Sequence, residues 1–365
     1  MNDCLDEWCE RIREAAARAS PLAIVGGASK DFYGRPWAEA CSARLSTVAH
    51  SGIVDYEPSE LSLSARAGTP LAEIEEALAS QGQMLAFEPP HFAGGATLGG
   101  TIAAGLSGPR RAAAGAARDF VLGAKIIDGR GQPLAFGGRV MKNVAGYDVS
   151  RLLTGSLGTL GLITEVSLKV LPLPAASLSL RLAARQGRAL ELMNGWAGQA
   201  LPITASAWED AGEGGALTLR LAGAAAAVRA AQRELGGEPL QPELAGAYWR
   251  NLRDQRAPFF DAATTLWRLS LPSTTPPLDL FGTTLIEWGG ALRWLRSSAE
   301  RETVRAAMAR IGRGAHATLF RASLEARAAG VFQPLASPLL VLHRELKRRF
   351  DPAGVLNPGR IYAEF

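Results

Sequence analysis

Glycine carries the first chemical signal in this chain. Of its 40 glycines, three clusters fall in the first half, at 26–34, 94–108 and 155–161, each beside an apolar run that reads as a strand. Glycine permits positive φ and close backbone approach. Consecutive N–H groups in such turns form concave anion sites. That is the chemistry needed to hold a pyrophosphate, which stays charged at neutral pH. No cluster alone is diagnostic. Gly26-Gly27-Ala28 follows Leu22-Ala23-Ile24-Val25 but is not G-x-G-x-x-G, and no Walker lysine motif is present. Plain turns explain any one cluster as well; three clusters beside three strands favour a shared ligand.

Other chemistry is sparse. His50, His91, His316 and His343 lie far apart in sequence. Metal ligands usually arrive in clusters, so no metal site is expected. His343 sits beside Arg344 and Lys347 and reads as a surface or interface residue, whereas His91 follows two prolines near the second glycine cluster. Cys4, Cys9 and Cys41 are too few for an iron–sulfur cluster. An odd cysteine count with no secretion-type leader also argues against a disulfide framework.

The elements that position the clusters follow from composition and periodicity. A length of 365 residues suits two domains. With 47% hydrophobic and 20% charged residues, a full core is expected and disorder is not. No run of 18 uncharged apolar residues suggests a membrane span. The acidic, then helical, start points to a cytoplasmic protein, associated with a membrane only through partners. The net charge is +4, but the arginines are dispersed, with tight clusters only at Arg110-Arg111 and Lys347-Arg348-Arg349, so no nucleic-acid partner is expected. The pattern predicts a helix over 4–19, strands near 22–25, 45–48, 52–56 and 61–67, and a helix over 70–81. Strands return at 119–128, 133–136 and 161–170, with a short helix and glycine turn over 147–160 between them. From 175 the order becomes strand, helix (187–200), strands (203–208, 215–221) and helix (223–235), without nucleotide-type glycines. No 20–50-residue repeat is apparent. A helix over 339–350 and a turn-rich ending suggest that the tail returns to the first domain.

Several long strings then carry a resemblance. They are Gly26 to Gly34, Glu88-Pro89-Pro90-His91-Phe92, Ala96 through Arg111 (ending Leu-Ser-Gly-Pro-Arg-Arg), and Arg118 to Gly123. Further along come Val140 to Asp148 (containing Lys-Asn-Val-Ala-Gly-Tyr-Asp), Gly155 to Gly161, and Asn357-Pro358-Gly359-Arg360. In this order they resemble the vanillyl-alcohol-oxidase type of FAD proteins, with a PCMH-type FAD-binding domain. The resemblance is closer to the FAD-binding subunits of glycolate oxidases, the smaller of two flavin subunits in a three-subunit complex. It implies an α+β fold. A PCMH-type FAD-binding domain of two α+β subdomains (1–172 plus 331–365) would enclose an inserted α+β cap (173–330). It also implies a larger flavin subunit and an iron–sulfur subunit as partners, and a small 2-hydroxy acid as candidate substrate.

By position, the resemblance assigns the pyrophosphate to Gly26, Gly27, Ala28, Ser29 and Lys30 and to Thr97, Leu98, Gly99, Gly100, Thr101, Ala104 and Gly105. Gly158, Gly161, Leu162 and Ile163 would lie along the cofactor. Gly108, Arg110 and Arg118 would stand toward the flavin. Arg360 would reach a phosphate or the N1–O2 edge of the ring. The first loop has no histidine and no cysteine follows Cys41, so the FAD is expected to be non-covalent.

Oxidation of a 2-hydroxy acid needs a base for the hydroxyl proton. Only Tyr147 and His91 are on offer, with Arg110 a third weak catalytic candidate. Arg110, Arg111, Arg256 and Arg293 could clamp a carboxylate, although surface ion pairing explains each equally well. Three readings stay open. One is a redox subunit in the oxidation of glycolate to glyoxylate, either catalytic or relaying electrons to the iron–sulfur partner and inactive alone. The second is a flavin-fold scaffold that positions the catalytic flavin subunit. The third is a stand-alone oxidase with its own substrate, which would need a general base beside the flavin. Trp249, Trp288 and Trp294 are candidate interface residues, although buried core tryptophans are the commoner case.

Overall fold

The computed structural model describes residues 3–38, 41, 43–92, 94–138, 148–210, 214–261, 265–312 and 314–365. The chain forms two units. One comprises 1–106, 116–173 and 324–365, and the other comprises 107–115 and 174–323.

The first unit opens with the helix Asp3–Ala17. Its apolar side buries Trp8, Cys9, Ile12 and Ala15 against Leu22, Leu45, Leu162 and Leu356. Ile12, Leu45 and Leu356 are fully enclosed, and each contributes about 1.5–3 kcal/mol by leaving water. The strand Leu22–Val25 runs parallel to Ala43–Ser46. On its other side it meets the tail, where the Leu22 N–H donates to the Val355 carbonyl at 2.8 Å and the Asn357 N–H donates to the Leu22 carbonyl at 3.0 Å. A five-stranded antiparallel sheet stands beside this layer, in the spatial order Ile53–Glu57, Ser62–Arg66, Leu162–Lys169, Val121–Ile127, Pro133–Gly137. The helix expected over 70–81 runs Leu71–Ser80.

Residues 84–118 are dominated by Gly, Ala and Pro, yet they contain a helix, Leu98–Ala104. Gly99 and Gly100 are poor helix formers, so tertiary contacts hold it. Thr97 caps it by accepting from the Gly100 N–H at 3.3 Å. The Leu98 and Gly99 N–H groups donate to the Thr69 and Ala67 carbonyls, at 2.9 and 2.8 Å.

His50 packs edge-on to Trp8 at 5.5 Å, with its Nδ1 3.5 Å from the Cys4 sulfur. Burial, and then the Arg66 charge, push its pKa below 6.5. The unfolded chain therefore takes up the proton at a higher pH than the folded one, and stability falls as pH drops below 6.5. Melting temperature measured against pH should fall less steeply on the acid side in His50→Gln than in the wild type. An unchanged slope would assign the acid loss to other groups.

The second unit is an eight-stranded antiparallel sheet. It contains two successive β-α-β-β-α-β arrangements of the ferredoxin-like kind. The first runs Ala176–Ala183, helix Gln186–Ala197, Ile203–Glu209, Ala216–Gly223, helix Ala225–Leu235, Glu238–Pro239. The second runs Leu266–Ser270, Thr283–Glu287, Leu292–Arg296, helix Arg301–Ile311, His316–Arg321. Both place their strands in the order 4-1-3-2, and they join edge to edge through Ala207–Glu209 and Leu285–Glu287. This duplication is absent from the sequence pattern because the second copy lacks its first helix. Residues 271–282 fill that connection and carry Pro272, Pro276 and Pro277, and proline breaks a helix interior.

The tryptophans considered for an interface are core residues of this unit instead. Trp249, Trp288 and Trp294 are each about 5% exposed or less. The Trp249 indole donates to Ser179 Oγ at 2.9 Å, that of Trp294 to Glu287 at 2.7 Å, and that of Trp288 to the Gly108 carbonyl at 3.0 Å. Arg293 likewise is no carboxylate clamp. It is fully buried, and its guanidinium donates to the carbonyls of Gly290, Pro276 and Thr275.

Candidate functional site

Within the first unit, the three glycine clusters and the tail meet around one cleft of about 700 Å³, counting its open mouth. The first loop leaves the strand Leu22–Val25 and turns at Ala28, whose φ is +57°. The Asp31 N–H closes back on the Ala28 carbonyl at 3.1 Å and the Tyr33 N–H on that of Lys30 at 2.9 Å. The N–H groups of Gly27, Ala28 and Ser29 donate to no acceptor among the described residues. Consecutive open donors of this kind can cradle an anion.

Gly27 backs directly onto Gly95. A Cβ built at 27 would coincide with the Gly95 carbonyl oxygen, so the two loops interlock at a point only glycine allows. The third cluster is fixed from the tail. Asn357 is 2% exposed with φ +46°. Its Oδ1 accepts from the Ile24 N–H at 2.6 Å, and its Nδ2 donates to the Leu157 carbonyl at 2.7 Å. One amide thus ties the first strand, the third glycine turn and the tail together at the cleft wall.

The expected residues divide clearly. Gly26, Gly27, Ala28, Ser29, Lys30, Thr97, Gly99, Gly100, Ala104, Gly158, Gly161, Ile163 and Arg360 all line the cleft. Leu98 and Thr101 are buried within the helix that forms its floor. Gly105 ends that helix in the left-handed conformation. Leu162 belongs to the core around Leu22 and Leu356. Gly108 and Arg110 belong to the second unit, where Arg111 stacks on Trp288 at 4.4 Å. Arg118 is exposed. His91 pairs with Glu75 at 3.0 Å. Tyr147 and Asn143 lie outside the described residues.

Sequence reasoning missed Trp37, Thr47, Leu157 and Asn357 as cleft residues. Asn357 had a signal, the Asn-Pro-Gly-Arg ending. Trp37 had none, being a lone aromatic with no periodic partner. Arg360 lies 4.2 Å from the Trp37 ring, and burial pushes its pKa down to about 10. Its guanidinium donates to the main chain of the first loop, at the Arg35 and Tyr33 carbonyls.

The residues present suit a diphosphate-bearing cofactor. Three loop N–H groups stand without acceptors. Arg360 Nε and Trp37 Nε1 are buried at the cleft without hydrogen-bond partners. The walls are closed by glycines where a side chain would intrude. Among the described residues no group of three His, Cys, Asp or Glu side chains gathers as a metal site, and no helix is long and apolar enough to cross a membrane.

This fold and cleft define an FAD-binding protein of the PCMH type, and residues 4–137 match the FAD binding domain family. The chain belongs to the family of the glycolate oxidase subunit GlcE. It is 50% identical over 357 residues to that subunit of Escherichia coli (strain K12), covering 97% of this chain and 96% of the relative. Glycolate oxidase subunit GlcD of Bacillus subtilis (strain 168) is 33% identical over 128 residues, 35% of this chain and 27% of that protein. Among solved structures, an alkyldihydroxyacetonephosphate synthase superposes with a TM-score of 0.67 at 16% identity, covering 96% of this chain and 74% of the other, a likeness of fold.

Proposed function

We propose that this chain is the FAD-binding subunit of a glycolate oxidase complex and holds its FAD non-covalently, with the diphosphate on the Gly27–Ser29 N–H groups. The free donors of that loop, facing the glycine walls of the other two clusters, carry the proposal. Bound FAD supplies a two-electron acceptor, and turning glycolate into glyoxylate releases two electrons and two protons. The chain's own part is to orient the cofactor and exclude water from the diphosphate. Residues 1–172 with 331–365 serve as the FAD-binding domain and 173–330 as the cap. The protein works in the cytoplasm beside a larger flavin subunit and an iron–sulfur subunit that takes the electrons.

The visible spectrum of the purified chain tests this reading. Flavin bands released into solution on denaturation support it. A chain that stays colourless after incubation with FAD would leave only a scaffold role. Bleaching by glycolate without partners would make the chain catalytic in itself.

A further inference from the structure

Two buried cations stand behind the first glycine loop; among the described residues neither forms a salt bridge, and the Asp31 carboxylate acts on both only at longer range. Arg327 is 7% exposed and Arg360 3%. Arg327 donates from Nε to the Gly34 carbonyl at 3.0 Å, and from Nη2 to the carbonyls of Asp31 and Gly34 at 3.0 and 2.8 Å. Arg360 donates to the Tyr33 carbonyl at 2.8 Å, to that of Arg35, and at 3.5 Å to the Asp31 carbonyl that Arg327 also binds. Among the described residues neither guanidinium lies within salt-bridge distance of a carboxylate. Burying charge is costly, and the carbonyl dipoles together with the more distant Asp31 carboxylate offset only part of that penalty. The pair is also expensive as mere loop scaffolding, since neutral donors bind carbonyls without the burden of charge.

The geometry gives the arrangement a direction. The carbonyls of Asp31, Tyr33, Gly34 and Arg35 point back at the two guanidiniums, and the free N–H groups belong to the residues just before them. We propose that Arg327 and Arg360 are positioning residues for the cofactor diphosphate: they draw these four carbonyls to one side, which presents the Gly27–Ser29 N–H groups to the phosphates, and their two charges, only partly offset by Asp31, favour an anion there. Arg360 stands at the cleft wall, while Arg327 acts entirely through the loop. The inference rests on the FAD reading above and deepens it. It assigns recognition of the diphosphate, rather than of the flavin ring, to a segment near the end of the chain.

The test compares wild type, Arg327→Met and Arg327→Lys as full chains, with FAD and with ADP as probes. Fluorescence titration gives affinity, and melting temperature is recorded with and without ligand. Charge-assisted hydrogen bonds contribute about 1.5–3 kcal/mol, so Arg327→Met should weaken both FAD and ADP by roughly 10- to 100-fold. The rise in melting temperature on adding FAD should shrink accordingly. Arg327→Lys, which keeps the charge and loses the fork, should fall between the two. Weaker FAD binding with ADP binding unchanged would overturn the proposal. So would a lower melting temperature of the ligand-free Met variant with an undiminished FAD-induced rise, since that is what a purely structural arginine gives. Should the Met variant not fold, Arg327→Lys decides by the same criteria. A wild type that binds neither probe removes the FAD reading itself, whereas a wild type that binds both, alongside variants that bind them equally well, removes this inference alone.

Discussion

Gly27→Val is expected to yield a folded chain that no longer retains FAD. A side chain at 27 meets the Gly95 carbonyl oxygen, which is backbone and cannot rotate away. Residues 94–97 lead straight into the Leu98–Ala104 helix, which is pinned by N–H bonds to the Thr69 and Ala67 carbonyls. The clash is therefore relieved by displacing the first loop, whose N–H groups are the proposed donors for the diphosphate. Overpacking of this kind costs about 1–3 kcal/mol in stability, which a two-unit chain survives. Misdirecting two or three donors should weaken FAD by at least about 100-fold. Fluorescence titration of the apoprotein reads this directly. Gly94→Ala is the control, since a Cβ there meets nothing within 4 Å. Equal affinity in Gly27→Val and Gly94→Ala would remove the first loop from the FAD site.

The second large effect lies in the tail. Lys347 and Asp351 form a buried pair at 2.7 Å, with side chains 6% and 0% exposed. The Lys347 ammonium also donates to the Thr159 and Leu356 carbonyls, at 2.8 and 2.7 Å. The Asp351 carboxylate accepts the N–H groups of Val355 and Leu356, at 3.2 and 2.7 Å. Burial is the main force lowering the Lys347 pKa, and Asp351 opposes it. Asp351→Ala leaves the ammonium buried without its counter-charge, a loss of about 3–5 kcal/mol. Denaturant unfolding should show it, together with weaker FAD, because the same turn sets Leu356 and Asn357 beside the first strand. Lys347→Met combined with Asp351→Leu should recover part of the loss, as uncharged replacements of buried pairs often do. A double variant as unstable as Asp351→Ala would place the damage in the lost N–H caps instead of the charge.

The sequence was informative where local chemistry and structure agree. The three glycine clusters all reach one cleft, two as turns and one through a helix, and the helices at Asp3–Ala17 and Leu71–Ser80 lie within two residues of their expected bounds. It was silent where tertiary contacts override propensity. The Leu98–Ala104 helix carries two glycines, and its Thr97 cap, its burial and its N–H bonds to the Ala67 and Thr69 carbonyls hold it helical. The duplicated half-sheets share topology without sharing a pattern, since prolines replace a helix in one copy. In the site, the glycines were legible because their type reports backbone geometry. Trp37 and the carbonyl-bound Arg327 were not, because an aromatic or an arginine in a loop has many ordinary uses and only its partners reveal this one.

The parallel contact between the first strand and the tail has a consequence for how the protein is made. Ile24 and Asn357, joined by hydrogen bonds, are 333 positions apart. A ribosome adding roughly 5–20 residues per second needs on the order of twenty seconds to a minute to deliver the second after the first. Throughout that interval the apolar Leu22–Val25 edge lacks the tail as a neighbour and the cradle has no Asn357 to hold its third wall. The nascent chain thus keeps that apolar edge uncovered for the whole interval, and the cleft cannot be complete until synthesis has passed Asn357.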